Sequence, residues 1–355
     1  MRLQSIVIGL LLVSTFVYGA DKPTATIAPI KYPSLRLMGF GDVNFYSTED
    51  GDGNKESGFR NGQFVLHLVS QLSSRFSMFA ELSFTATSSE YRTEVERLII
   101  KYDHNDYFKL GLGRFHTAIS WWNTAYHHGA WLQTTIDRPL AVRFGSQLVP
   151  IHFVGVVAEG AIPSGSLGMG YIAGVGNGRG ENIARGGDAG DINDSRALNV
   201  RVFAKPDVFY GLEVGLSYYS DTITPETESQ EVDEWIGSAY IVYDRENPQV
   251  IAEYFHIEHQ GVASGETAKS DAYYVQVAYR IPQWKARLMP YTRYESTDIA
   301  EDDPVYTREF DLERYLLGVR IDVASFVAVK AEYRHESIDS GPFLDGFFAQ
   351  ISFTF

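Results

Sequence analysis

Sixteen stretches of this chain alternate apolar and polar residues, and the segments joining them alternate between short and long. The stretches are 35–46, 63–72, 76–86, 95–102, 107–115, 150–160, 166–175, 196–204, 211–219, 234–243, 249–258, 271–281, 286–295, 313–322, 327–336 and 346–355. A period of two is the mark of a strand with one apolar face. It is clean in Phe76, Met78, Ala80, Leu82, Phe84, in Tyr273, Val275, Val277, Tyr279 and in Tyr315, Leu317, Val319, Ile321. The eleventh stretch, "PQVIAEYFHIEH", is ambiguous in register, and the Gly-rich sixth and seventh are less regular. Short connections such as "SSR" (73–75), "DHND" (103–106), "PSGS" (163–166), "DREN" (244–247), "PQWK" (282–285) and "DVASF" (322–326) alternate with longer polar ones at 47–62, 86–94, 116–149, 176–195, 220–233, 259–270, 296–312 and 337–345. A soluble sandwich has no reason to sort its loops this way.

A bilayer gives one. About 9–11 tilted residues cross the hydrocarbon core as a strand. Open sheet edges are not tolerated in lipid, so the strands must close on themselves. The expected fold is all-β: a transmembrane antiparallel β-barrel of about sixteen strands, with short periplasmic turns and long outer loops. The final stretch, "DGFFAQISFTF", then pairs with the first, "LRLMGFGDVNF". Its alternate apolar side chains face lipid, and Phe355 sits at the inner interface.

The N-terminus names the export route. Arg2 precedes the apolar run "IVIGLLLV" (6–13), and "STFVYGA" (14–20) supplies small residues for cleavage, best placed after Gly19. This run is too short to span a bilayer as a helix. The expected organisation is a signal peptide at 1–19, a short periplasmic segment at 20–34 and the barrel at 35–355. There is no cysteine, so no disulfide framework supports the exported chain. A net charge of −15 argues against nucleic-acid partners. The 22 Tyr and 22 Phe suit strands and membrane interfaces alike.

With its signal peptide, sixteen-strand meander, terminal Phe355 and long third outer loop at 116–149, the chain resembles the outer-membrane porins. Its flavour is closer to the phosphate-selective O and P porin-like group, because the general porins' Pro-Glu-Phe-Gly-Gly tract is missing from the third loop. The resemblance implies a passive diffusion channel for small hydrophilic solutes, with that loop folded inward as a constriction. It also implies a terminal strand read by the barrel-assembly machinery through Phe355, and a homotrimer. Outer-membrane lipid and lipopolysaccharide would surround it, and no cofactor is expected.

A sixteen-strand barrel leaves an aqueous lumen lined by the parity opposite the apolar one. Lys109, Arg201, Arg280, Arg293, Arg314, Arg320, Lys330 and Arg334 fall on that parity, with Glu81, Glu253, Glu295 and Glu332. They are expected to line the pore, either paired with one another or as a basic ladder over strands 12–15 that favours anions. Arg114 breaks its own parity, which places a bulge or the outer rim there. The outer segments 221–234 and 296–311 hold twelve Asp and Glu against Arg308 alone. They suit solubility, or divalent ions shared with lipopolysaccharide. Wall charges at the narrowest point should outweigh them, since fields are screened within about 8–10 Å in physiological salt.

The third loop carries the unusual constellation "WWNTAYHHGAW". Trp121, Trp122, Tyr126 and Trp131 suit packing against the wall or contact with a sugar, and His127 and His128 with His116 are weak metal candidates. "DGDGNKE" (50–56) is only a fragment of a calcium-loop pattern. An adhesin or structural barrel is the alternative class. A barrel enzyme built on His256, Glu258 and His259, or on His335 and Glu336, lacks a recognisable catalytic context.

Overall fold

The computed structural model describes residues 31–126, 129–180, 182–225, 230–282, 287–306, 309–338 and 341–355. The signal peptide, most of the 20–34 segment, His127, His128, "PQWK" in part and Arg308 lie outside them.

Sixteen antiparallel strands form one closed barrel in sequence order. They are β1 (Ser34–Asp50), β2 (Lys55–Gln71), β3 (Phe76–Ala86), β4 (Tyr91–Asn105), β5 (Phe108–His116), β6 (His152–Ala161), β7 (Met169–Asn177) and β8 (Ala197–Ala204) in the first half. The second half is β9 (Leu212–Ile223), β10 (Val232–Asp244), β11 (Gln249–Gly261), β12 (Thr267–Ala278), β13 (Leu288–Asp298), β14 (Leu312–Ala324), β15 (Val327–Ile338) and β16 (Leu344–Thr354). Among the described residues no helix is long and apolar enough to cross a membrane.

The expected lipid parity is the exposed one. Tyr273, Val275, Val277, Tyr315, Leu317, Tyr333, Phe347 and Ile351 all point outward and stay open to the surroundings. Several joints differ from expectation. Residues 47–62 are not a long polar loop: β1 and β2 run on to a tight turn at 51–54. The connections near 86–94, 259–270 and 337–345 shrink the same way, because polar residues beyond the apolar band still complete ladder hydrogen bonds with their neighbours. The connections that remain long are 117–151, 178–196, 224–231 and 299–311.

Closure rests on β1 and β16, paired from Phe40↔Thr354 to Asp50↔Leu344. Gly39 and Phe355 exchange backbone hydrogen bonds of 3.0 and 3.1 Å beyond that register. The Phe355 ring lies over Gly39, where a Cβ would stand 2.2 Å from its Cζ, and the Phe353 ring covers Gly41 in the same way. Phe64 of β2 stacks on Phe355 from the far side, with ring centroids 5.9 Å apart. The terminal aromatics therefore seal the seam from outside.

Candidate functional site: the inward loop and the passage beside it

Residues 117–151 fold into the barrel and dock on one wall. The loop opens with a single helical turn, α1 (Trp121–Ala125), an element that the strand periodicity did not announce. Ser120 caps it, and Glu253 of β11 accepts from the Ser120 hydroxyl (2.7 Å) and from the backbone N–H groups of Trp121 and Trp122. A carboxylate at that end answers unpaired N–H donors.

Trp121, Trp122, Ile119, Val142, Leu148 and Val149 pack on Tyr219, Ile236, Tyr240, Ile251, Phe255, Ile257 and Tyr274 of β9–β12. The inward faces of these strands thus carry apolar residues among their polar ones. That explains the ambiguous register of β11: Ile251, Phe255 and Ile257 face the loop, while Tyr254 faces out. Trp122 is fully buried and meets Tyr126 and Tyr274 edge-on, and Trp121 is buried beside it in the contact between loop and wall. Trp131 is partly buried.

The rest of the loop, about 130–142, is irregular backbone inside the lumen apart from a 3-10 turn at Leu140–Val142, and each polar group there needs a partner. The expected ladder supplies them. Lys330 donates to the carbonyls of Ala130 (2.6 Å) and Thr135 (2.8 Å), and Arg320 donates to that of Gln133 (2.7 Å). Arg293 donates to the carbonyls of Asp137 (3.1 Å) and Arg138 (3.2 Å) and to the Thr135 hydroxyl. The carboxylates do the converse: Glu332 accepts from the Ile136 N–H and Glu295 from the Leu140 N–H. Arg334 binds the Asp137 and Glu332 carboxylates. Lys330, Arg293 and Glu332 are at most 1 % exposed.

The inward parity of these residues holds, but the ladder does not stand free in water. It is consumed in anchoring the loop. The remaining wall charges are scattered. Glu81 is buried between Arg97 (2.6 Å) and His67 (2.7 Å), with His116 3.8 Å away. Lys109 faces Asp103 at 3.6 Å, and Arg280 lies past β12 at the turn end, between Glu246 and Asp322. Arg201 is buried on β8. The parity break at Arg114 follows Gly113, at φ +140°, and Arg114 reaches Glu96 and Asp188. Among the described residues no group of three or more His, Asp or Glu is placed to hold a metal. His256 and His335 point outward, toward Asp271 and Asp345 respectively, whereas His259 is buried between Glu234 and Asp303.

Docking on β8–β15 leaves space on the other side of the loop. A cavity of about 350 Å³ lies between it and β1–β3, lined by Asp42, Arg60, Asp137, Arg138, Arg143 and Arg314 among others. Four guanidiniums thus face two carboxylates. Arg138 is held by the Val142 carbonyl and Asn123, Arg143 by Glu309 (3.1 Å) and Arg314 by Glu336 (2.8 Å). Arg60 is exposed and has no carboxylate within 4 Å among the described residues. Asp42 accepts from the Gln63 N–H and from Asn44 at a register break in the β1–β2 pairing, opposite Gly62. Of these six, only Arg314 was expected from the sequence. Arg60 belongs to a strand end that alternation left as loop, Asp42 lies inside the first stretch but was not singled out, and the loop's own charges carry no periodic signal.

Solved structures place this architecture. The anion-selective porin from Comamonas acidovorans superposes with a TM-score of 0.68 at 13% identity, over 91% of this chain and 100% of that one. The fold is that of the outer-membrane porins. OmpF of Salmonella typhi, in complex with daunomycin, matches at TM-score 0.63 and 14% identity, covering 90% and 97%. OmpT of Vibrio cholerae, in its trimer form, matches at 0.60 and 15%, covering 91% and 100%. None of these three is described as phosphate-selective. No protein-family model and no curated protein matches the sequence.

Proposed function

We propose that this protein is an outer-membrane diffusion channel for small hydrophilic solutes, with a slight preference for anions. The observation that carries the reading is the docked loop: it packs on one side of the lumen and leaves a charged cavity on the other. A purely structural barrel has no need to spend buried ion pairs on holding a loop across its interior. The anion preference rests on Arg60, the one guanidinium lining the cavity that is exposed and has no carboxylate within 4 Å among the described residues. Fields are strongest at the narrowest point, so this residue should outweigh the acidic outer segments.

The remaining features follow from the same reading. Residues 1–19 direct export, Phe355 is the signal to the assembly machinery, and the barrels associate as trimers, as in the trimer form of OmpT. The lipid-facing surface meets lipopolysaccharide. The test is the reversal potential of the refolded protein in a planar bilayer under a KCl gradient. An anion-side potential that moves toward cations in Arg60→Glu is the expected result. Cation preference in the wild type would refute the selectivity, and a folded barrel without conductance would refute the channel.

A further inference from the structure

A second cavity, of about 180 Å³, lies on the turn side of the loop, against the inner faces of β4–β8. Its lining is unusual for an aqueous lumen, where inward residues are mostly polar. Ile99, Phe115, Phe153, Val157 and Ile172 form one apolar cluster there. The two phenyl rings are stacked 5.8 Å apart. They lie flat on the wall because Gly111 and Gly174 leave room for them: a Cβ would stand 2.9 Å from the Phe115 Cζ and 2.8 Å from the Phe153 Cζ.

The charges around this cavity do not balance. Lys101 is matched by Glu159 at 2.6 Å and Arg97 by Glu81 at 2.6 Å. Arg201, which stands behind the lining with its guanidinium 5.8 Å from the Phe203 ring centre and 5.9 Å from that of Tyr240, is the cation left over. It is 5 % exposed, has no carboxylate within 4 Å among the described residues, and its Nε has no acceptor. One of its terminal nitrogens donates to the hydroxyl of Thr124, which lines the cavity. Asn199, two residues earlier on the same inward face of β8, also lines the cavity. It is 3 % exposed, and its amide oxygen has no partner. An amide turned over about its last bond offers two N–H donors at the same place. A buried guanidinium without a counter-charge is costly unless an anion supplies one.

We infer that this cavity is a binding subsite for a small carboxylate with an apolar body, such as an arylcarboxylate. The ring lies against Phe153 and Val157, and the carboxylate is held by Thr124 and Asn199, with Arg201 behind Thr124 supplying the counter-charge. An apolar protein cavity of about 150 Å³ accepts benzene, so one aromatic ring fits here. The inference deepens the channel reading and rests on it for its role: the subsite gives such solutes a resting place on the way through.

Binding and conduction can fail separately, so both are measured on the refolded full chain. Equilibrium dialysis with labelled benzoate tests the site, with acetate and benzyl alcohol as competitors that each lack one half of the ligand. Benzoate is expected to bind at least about tenfold more tightly than either competitor, the scale of one charge-assisted hydrogen bond set. Arg201→Gln should weaken benzoate about tenfold. Asn199→Asp should do the same, and it places the missing counter-charge beside Arg201, so the barrel should keep its heat-modifiable gel mobility. Equal binding of the three compounds, or benzoate binding unchanged in both variants, overturns the inference. KCl conductance of the same preparation tests the channel reading alone.

Discussion

Replacing Arg293 by Met should release the inward loop while leaving the barrel closed. Arg293 and Glu295 form a buried pair at 2.9 Å, both about 1 % exposed, and each holds part of the loop backbone. Methionine keeps much of the stem volume against Trp122, over which the guanidinium sits at 5.7 Å. It strands Glu295, and removing one member of a buried pair costs about 3–5 kcal/mol. Arg314 lies 3.6 Å from Glu295 and offsets part of this, so the lower figure applies. About 3 kcal/mol weakens docking roughly a hundredfold. The readout is trypsin: the wild-type loop should resist cleavage after Arg143, and Arg293→Met should be cut there with a larger, noisier single-channel conductance. Arg293→Met combined with Glu295→Gln removes the stranded charge and should restore part of the resistance. Full resistance and unchanged conductance in the single variant would refute the view that these wall charges anchor the loop.

Gly39→Val places side-chain atoms where the Phe355 ring lies, so it should slow closure and lower the temperature at which heat-modifiable mobility is lost, with Phe355→Ala in the same background restoring part of it. Gly62→Ala puts a Cβ 1.6 Å from an Asp42 carboxylate oxygen; it should displace that carboxylate from the passage, seen as a reversal potential shifted toward anions. Burial pushes the Asp137 carboxyl up, but the Arg334 guanidinium, with Arg314 and Arg60 beyond it, more than offsets this and holds it below the ordinary carboxylate range. A depressed carboxyl contributes fully above its ordinary pKa and is lost only as pH falls through the lowered one. The difference in conductance between wild type and Asp137→Asn should therefore be flat from pH 7 to pH 5, and a transition of that difference inside the window would contradict the Asp137–Arg334 anchor.

The alternation was strong enough to locate all sixteen strands, their order and the lipid-facing parity, because lipid penalises a misplaced charge on every strand it touches. It was weakest where the inner face is also apolar. In β11, Ile251, Phe255 and Ile257 face the loop, so both parities look hydrophobic and the register blurs. Strand ends were underestimated at β1 and β2, where Thr48, Glu49, Glu56 and Ser57 pair across the hairpin with no apolar pattern to reveal them.

The site was half legible. Parity correctly turned Arg293, Arg320, Lys330 and Arg334 inward, but it could not say what they would meet there. A charge pointing into a lumen is free if water fills the space and is an anchor if backbone does. Only the fold brings residues 130–142 against β13–β15, some 155 to 200 positions away in sequence, and assigns the ladder to the loop. The same displacement leaves Arg60 exposed across the passage and Arg201 without a counter-charge. The sequence alone determined a closed barrel and which way the side chains of its regularly alternating strands point, since both follow from local period and the solvent outside. Which inward charges remain available to a solute was decided by tertiary structure, because that depends on how one irregular loop satisfies its own hydrogen bonds.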